Sequence, residues 1–240
     1  MKLRLKKAIF TLIFSIATLL CYGQSFLSEY PKLTTQNLDE FFIDWKSYSD
    51  SIASKATKYN DLIDSIQGIE YAPKMPQEDP SRYFVLPQYI KIERYYMDVD
   101  TVVAKIDLGF PSFIPDLKDN QYTVDSITPI PPQSDKILYL TSDIYKVLSE
   151  FAGGLKKRKK TTKINESHIQ ELKKYISVEY GHWGGYWWFT SFPAITGICY
   201  TNNLIAVMRR TSWSTGDVIW YTKVNDKFVR QPVPVCEWVE

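Results

Sequence analysis

The chain has 240 residues, 29 Lys and Arg against 27 Asp and Glu, and a formal net charge of +2. With 45% hydrophobic and 15% aromatic residues it can bury a sizeable core, as one large domain or two small ones. So even a charge balance argues against a general affinity for nucleic acid or for acidic membranes.

Residues 1–23 read as a secretory signal. Lys2, Arg4, Lys6 and Lys7 precede an apolar run from Ala8 to Leu20, and Cys21-Tyr22-Gly23 follows. The run is 13 residues, short of the roughly 20 that span a bilayer. Cleavage is expected after Gly23. Lipidation of Cys21 is disfavoured by the bulky Leu20 before it. The mature chain is therefore expected in the periplasm or outside the cell, with no transmembrane span. It keeps 25 bases against 27 acids, a net charge near −2.

Residues 24–135 read as a region of helix followed by strands. Leu38 to Ile66 has apolar residues at Leu38, Phe42, Trp45, Tyr48, Ile52, Ala56, Tyr59, Ile63 and Ile66. Steps of three and four keep these on one helical face, in one long helix or two joined near Ser54. Asn37 with Glu40 forms a capping pair, and Gly68 is the expected stop. Tyr71 to Pro80 holds three prolines and reads as an irregular link. Tyr83 to Tyr96 and Thr101 to Leu108 read as strands. Between them, Asp98 and Asp100 superficially resemble the nucleophile motif of haloacid-dehalogenase-type phosphatases. The surrounding pattern is not that of a parallel doubly wound sheet, so a polar turn is the preferred reading. Thr128 to Asp135 is a second proline-rich link.

Residues 136–240 read as helices followed by strands. Ile137 to Leu140 is a short strand. Ser142 is the expected cap of a helix carrying Ile144, Val147, Leu148 and Phe151 and ending at Gly153-Gly154. The basic block Leu155 to Lys163 reads as a solvated loop. Ser167 is the expected cap of a helix with Ile169, Leu172 and Ile176, ended by Gly181. Strands then follow at Tyr186–Phe192, Ile195–Tyr200, Leu204–Trp213, Val218–Val224 and Phe228–Val233, separated by turn signals. The fold class expected is α+β, with helices packed on an antiparallel meander. The order of elements from Asn165 to Val233 resembles the end of cystatin-like and nuclear-transport-factor-like cone folds, and of some exported bacterial proteins of unknown function. The resemblance implies a curved sheet around a helix, and implies no particular activity.

The candidate site is Gly181-His182-Trp183-Gly184-Gly185-Tyr186-Trp187-Trp188-Phe189. Three of the ten glycines and three of the seven tryptophans fall in these nine residues, which marks the segment out from the rest. Strand alternation puts Tyr186 and Trp188 on one face and Trp187 and Phe189 on the other. One face is expected in the core. The other, with His182, Trp183, Tyr186 and Trp188, is the candidate ligand surface. Arg209 and Arg210 join it, because adjacent strand residues face opposite sides. The arginine on a buried face needs an acidic or carbonyl partner or a ligand, and an arginine near tryptophan can stack on it.

Cys199 and Cys236 survive signal removal and are a candidate disulfide. Their spacing fits neither a zinc nor a redox motif. No catalytic residue, metal site or cofactor motif is recognised. The expected function is that of an exported non-enzymatic binding or interaction protein. Its partner is a small molecule, a glycan or a protein, and not a nucleic acid. The alternative is a small-molecule enzyme with a cone-shaped aromatic cavity.

Overall fold

The structure, a computed structural model, describes residues 26–71, 82–96, 104–107, 110–113, 122–131, 134–153, 165–181, 186–234 and 236–239. The phosphatase-like Asp98 and Asp100 and the basic block lie outside them. The class is α+β. The helical stripe is broken into α1 (Leu38–Lys55) and α2 (Asp61–Tyr71). The break has a local cause: the Asn60 side chain accepts the backbone N–H of Ile63 at 2.8 Å and so starts a new helix. Two local expectations fail. Asn37 does not cap α1, because its side chain instead accepts the N–H of Thr34 at 2.7 Å. Helix α2 also runs through Gly68, beside which there is open space.

Strands β1 (Phe84–Pro87), β2 (Ile90–Tyr95), β3 (Ala104–Asp107), β4 (Phe110–Phe113), β5 (Tyr122–Ile127) and β6 (Ile137–Leu140) follow. Helix α3 (Ser142–Ala152) is capped by Thr141, one residue before the expected Ser142, and ends at Gly153 with φ 141°. Helix α4 (Glu166–Leu172) is capped by Asn165 rather than Ser167. It does not reach Gly181. Instead Gly181 follows β7 (Glu179–Tyr180) and donates its N–H to the Tyr186 carbonyl at 2.8 Å, beside β8 (Trp187–Trp188). The chain ends in β9 (Ala194–Tyr200), β10 (Leu204–Arg210), β11 (Thr215–Val224), β12 (Lys227–Arg230) and β13 (Cys236–Val239).

The expected antiparallel meander forms over β9 to β12, but its expected first strand, Tyr186–Phe192, is only the two-residue β8, which pairs with β7 outside the large sheet. The turn between β11 and β12 has Asn225 and Asp226 at φ 48° and 62°, the positive values a tight hairpin turn requires. The sheet is larger than the meander. Its order is β12-β11-β10-β9-β2-β5, with β13 beside β11, and β2 joins β9 in parallel. It therefore draws strands from both the 24–135 and the 136–240 regions. A second, two-stranded parallel ladder pairs β1 with β6. That ladder is the middle layer and is buried on both faces, as its apolar run of Phe84, Val85 and Leu86 requires. Val85 and Leu138 face α1, α3 and α4. Phe84, Leu86, Ile137 and Tyr139 face α2 and the large sheet.

Helix α1 is stitched to β6 through one residue. Trp45 donates its indole N–H to the Tyr139 carbonyl at 2.9 Å, and Ser49 accepts the Tyr139 N–H at 3.0 Å. Trp45 and Ser49 are four apart and so share a helix face. Together they satisfy backbone groups of β6 that no strand pairs. We predict that Ser49→Ala, which orphans this buried N–H, lowers stability by about 1–3 kcal/mol, read as a shift in the urea midpoint.

Candidate functional site

His182 and Trp183 lie outside the described residues. The rest of the aromatic segment divides by strand alternation. Trp187, 3% exposed, and Phe189 enter the core between α3, α4 and the β1–β6 ladder. Tyr186 and Trp188 are half-buried on the other side, edge to face with ring centroids 5.9 Å apart. Gly181 fits under the Tyr186 ring, where a Cβ would sit 2.4 Å from a ring carbon.

The two arginines part as expected for neighbours in a strand. Arg210, 2% exposed, lies over the Trp188 ring at 4.7 Å and donates to the Trp213 carbonyl at 2.9 Å. One face of the Trp188 ring is thus covered by the protein's own guanidinium. Arg209 points to the α2 side. It grips Asp217 with two hydrogen bonds, of 2.8 and 2.5 Å, and Glu70 with a third of 2.5 Å. The Glu70 carboxylate also accepts from the Tyr221 hydroxyl at 2.6 Å and from Arg230 at 2.8 Å. Burial pushes the Glu70 pKa up. The hydrogen bonds from Arg230 and Tyr221 and the charges of Arg209 and Arg230 outweigh it and hold the group below its ordinary value. The Arg209 guanidinium, disfavoured by burial, is held charged by Asp217 and Glu70. The network is closed and joins the end of α2 to β10, β11 and β12.

Cys199 is a free thiol. Burial, and then the charge of Glu93, push its pKa up, so it is protonated at neutral pH and a poor nucleophile. The expected bridge to Cys236 is not made. Cys199 lies on β9 and Cys236 on β13, with β10 and β11 between them. Three strand spacings of about 4.8 Å far exceed the roughly 7 Å that a disulfide spans between Cα atoms.

A wider hollow lies elsewhere, with a cavity volume of about 730 Å³. One wall is the last turns of α1, with Tyr48, Ile52 and Lys55. The α1–α2 link adds Lys58 and Tyr59, the β1–β2 turn adds Tyr89, and the end of β5 adds Ile127. Asp143, in the first turn of α3, closes it. Hydroxyls of Ser51, Thr57, Ser126 and Thr128 line it as well. Tyr48, Tyr89 and Asp143 all line it, and burial, then the nearby Tyr89 and Asp143, raise the Tyr48 pKa. The Tyr59 hydroxyl donates to Asp125 at 2.9 Å and lies 3.3 Å from the Tyr200 hydroxyl, which fixes its ring. Tyr89 is 57% exposed, and Gln88 donates to its hydroxyl at 3.2 Å. Sequence reading missed this site. Its walls come from four separate stretches of the chain, and the 56–60 link in one of them lies just past Ser54, where the sequence reading allows two helices to join without marking a site.

A smaller hollow of about 220 Å³ lies against Trp187, between Ile169, Lys173, Val178 and Tyr180. Among the described residues, no group of three His, Cys, Asp or Glu could hold a metal, and no helix is long and apolar enough to cross a membrane. No protein family, curated protein or solved structure matches this chain.

Two predictions follow from the packing. Trp187→Ala should cost roughly 3–5 kcal/mol of stability, and Trp188→Ala less, because only the first ring is fully in the core; chemical unfolding of both variants compares them. Glu70→Gln should cost about 3 kcal/mol near neutral pH by breaking a buried ion pair. The Glu70 pKa is depressed in the folded chain. Its stabilisation is therefore complete above the ordinary carboxyl value of 4.5 and is lost as pH falls through the lowered one. The gap in Tm between parent and variant should be wide near neutral pH and narrow as pH falls below 4.5.

Proposed function

We propose that this chain is an exported, non-enzymatic binding protein, and that its ligand is a soluble saccharide held in the tyrosine-lined cleft. The observation that carries this reading is Tyr89. It is a large aromatic ring, 57% exposed, on the two-residue turn between β1 and β2 at the mouth of the cleft. A ring held there by Gln88 loses little side-chain freedom on binding, and it offers an apolar face with a polar tip. Saccharides present the matching pair of surfaces, an apolar C–H face and a rim of hydroxyls. The cleft supplies Ile52 and Ile127 beneath and Ser51, Thr57, Ser126 and Thr128 around. Its volume falls within the few hundred to about a thousand Å³ usual for small-ligand sites. Export, expected from residues 1–23, would place the protein where free saccharides occur.

The expected outcome is saturable quenching or enhancement of intrinsic fluorescence on titration with soluble hexasaccharides. Tyr89→Ala should weaken that binding by about tenfold or more. Its Tm should stay within about 1–2 °C of the parent, because the exposed ring contributes little to the core. Saccharide affinity that survives Tyr89→Ala unchanged would place the ligand elsewhere.

A further inference from the structure

The cleft continues beyond Tyr59 along a strip of the large sheet. The Tyr59 and Tyr200 rings meet edge to face at 6.4 Å, with their hydroxyls 3.3 Å apart. Beyond Tyr200 the guanidinium of Arg94 lies 5.8 Å from the Tyr200 ring and 5.0 Å from that of Tyr96. Tyr96 is itself exposed, and its hydroxyl lies 3.3 Å from that of Thr123. The register explains the strip. Arg94 pairs with Tyr200 on one side and Thr123 on the other, so their side chains share the sheet face that carries Ile92 and Ile198 further along. Helix α2 and its link cover Ile92 and Ile198 and leave the Arg94 end open to solvent.

Three cations border this path: Lys55 and Lys58 at the cleft and Arg94 at the far end. All three are exposed, and none makes an ion pair among the described residues. Three carboxylates lie near. Asp143 lines the cleft with Tyr48 and Tyr89, Asp125 accepts from the Tyr59 hydroxyl, and Asp64 accepts the Tyr59 backbone N–H at 3.4 Å. Two of the three are thus held by Tyr59, whereas the three cations are exposed and without ion pairs among the described residues, so the charged groups most open to a ligand are the positive ones.

Resting on the reading of the cleft as a saccharide site, we propose that its ligand is an acidic oligosaccharide, a chain of uronate residues. One sugar stacks on Tyr89 in the cleft, carboxylates meet Lys55 and Lys58, and the chain runs past Tyr59 and Tyr200 to Arg94. Arg94 suits the last position. Two rings hold its guanidinium, so its donors are presented in a fixed plane that matches a carboxylate. A single-stranded nucleic acid would also meet cations and aromatics, but it needs open ring faces for successive bases. Here the Tyr59 and Tyr200 rings contact each other, and Arg94 lies over both Tyr200 and Tyr96.

The test is calorimetric titration of the full exported chain at low salt with a galacturonic acid hexamer, maltohexaose as the neutral hexamer, and a hexamer of thymidylate. The uronate hexamer should bind about tenfold or more tightly than the neutral one, a preference that fades as salt screens the charges. The double variant Lys55→Gln, Lys58→Gln should abolish most of the preference. Arg94→Gln should weaken the uronate hexamer about three- to tenfold and leave maltohexaose unaffected. All three side chains are exposed, so circular dichroism and Tm should match the parent in each variant. Equal binding of neutral and uronate hexamers overturns the acidic ligand and leaves the saccharide site standing. So does a uronate preference that survives the lysine variant. Tighter binding of the thymidylate hexamer overturns both the ligand class and the saccharide reading, as does failure of either saccharide to bind.

Discussion

Tyr139 uses every polar group it has to hold separate parts of the chain together. Its N–H goes to Ser49 and its carbonyl accepts from Trp45, both on α1. Its hydroxyl donates to the Pro129 carbonyl at 2.6 Å, and burial pushes its pKa up to about 12, so it stays protonated and remains a donor. The next residue, Leu140, accepts the N–H of Gln88 at 3.2 Å. Each bond fixes something that lines the cleft. Trp45 and Ser49 set the rotation of α1, and so the direction of Tyr48, Ser51 and Ile52. Pro129 anchors the segment just after Thr128, and Gln88 anchors the turn that carries Tyr89. The cleft is thus a consequence of where β6 ends. It lies where the middle ladder stops and three connections diverge, a position where backbone is held and side chains are left over.

The α1–α2 link is held from both ends. At its start, Lys55 ends a helix locked onto β6 and Ala56 caps it. At its far end, α2 is pinned to the large sheet by Glu70, whose carboxylate is met by two arginines and a tyrosine from three strands. A buried carboxylate with that many donors remains ionised, and breaking one partner leaves the others buried without compensation. The apolar contacts of Ile63, Ile66 and Tyr71 give α2 its attachment, and the ionic network fixes its register against the strands. Lys58 and Tyr59 are therefore presented by a short link between two immobile helices, not by a free loop.

Elements with strong local signals were legible in the sequence. The meander from β9 to β12, its Asn225-Asp226 turn, helix α3 and the split of Trp187 from Trp188 all follow from period and turn chemistry within a few residues. So did the parting of Arg209 and Arg210, since strand alternation alone forces one arginine to each face; which of them meets carboxylates and which a ring was not legible. What was not legible is non-local. The parallel pairing of β2 with β9 brings residues about a hundred positions apart into register, and no local pattern announces it. The caps shifted by one or two residues where Thr141 and Asn165 compete with Ser142 and Ser167 for the same N–H groups. Cys236 was expected near Cys199 because β13 was not recognised as a strand; once it pairs with β11, the two cysteines sit on opposite sides of the β10–β11 pair.

The aromatic segment drew attention in the sequence because rare residues cluster in it, and its described rings pack largely against the protein itself. Tryptophan's large ring is most useful where it can be enclosed, and Trp45 and Trp187 are enclosed. Trp188 covers a buried cation. Tyrosine behaves differently. Its hydroxyl must reach water or a partner, so tyrosines collect where the interior meets the surface. Tyr30, Tyr59, Tyr95, Tyr139, Tyr175 and Tyr221 each give that hydroxyl to a carboxylate or a carbonyl. Such residues brace the walls of a site without filling it. The cleft combines one braced ring, Tyr59, with one left open, Tyr89, whereas among the described residues of the tryptophan-rich corner Trp187 is enclosed and Trp188 is covered on one face by Arg210.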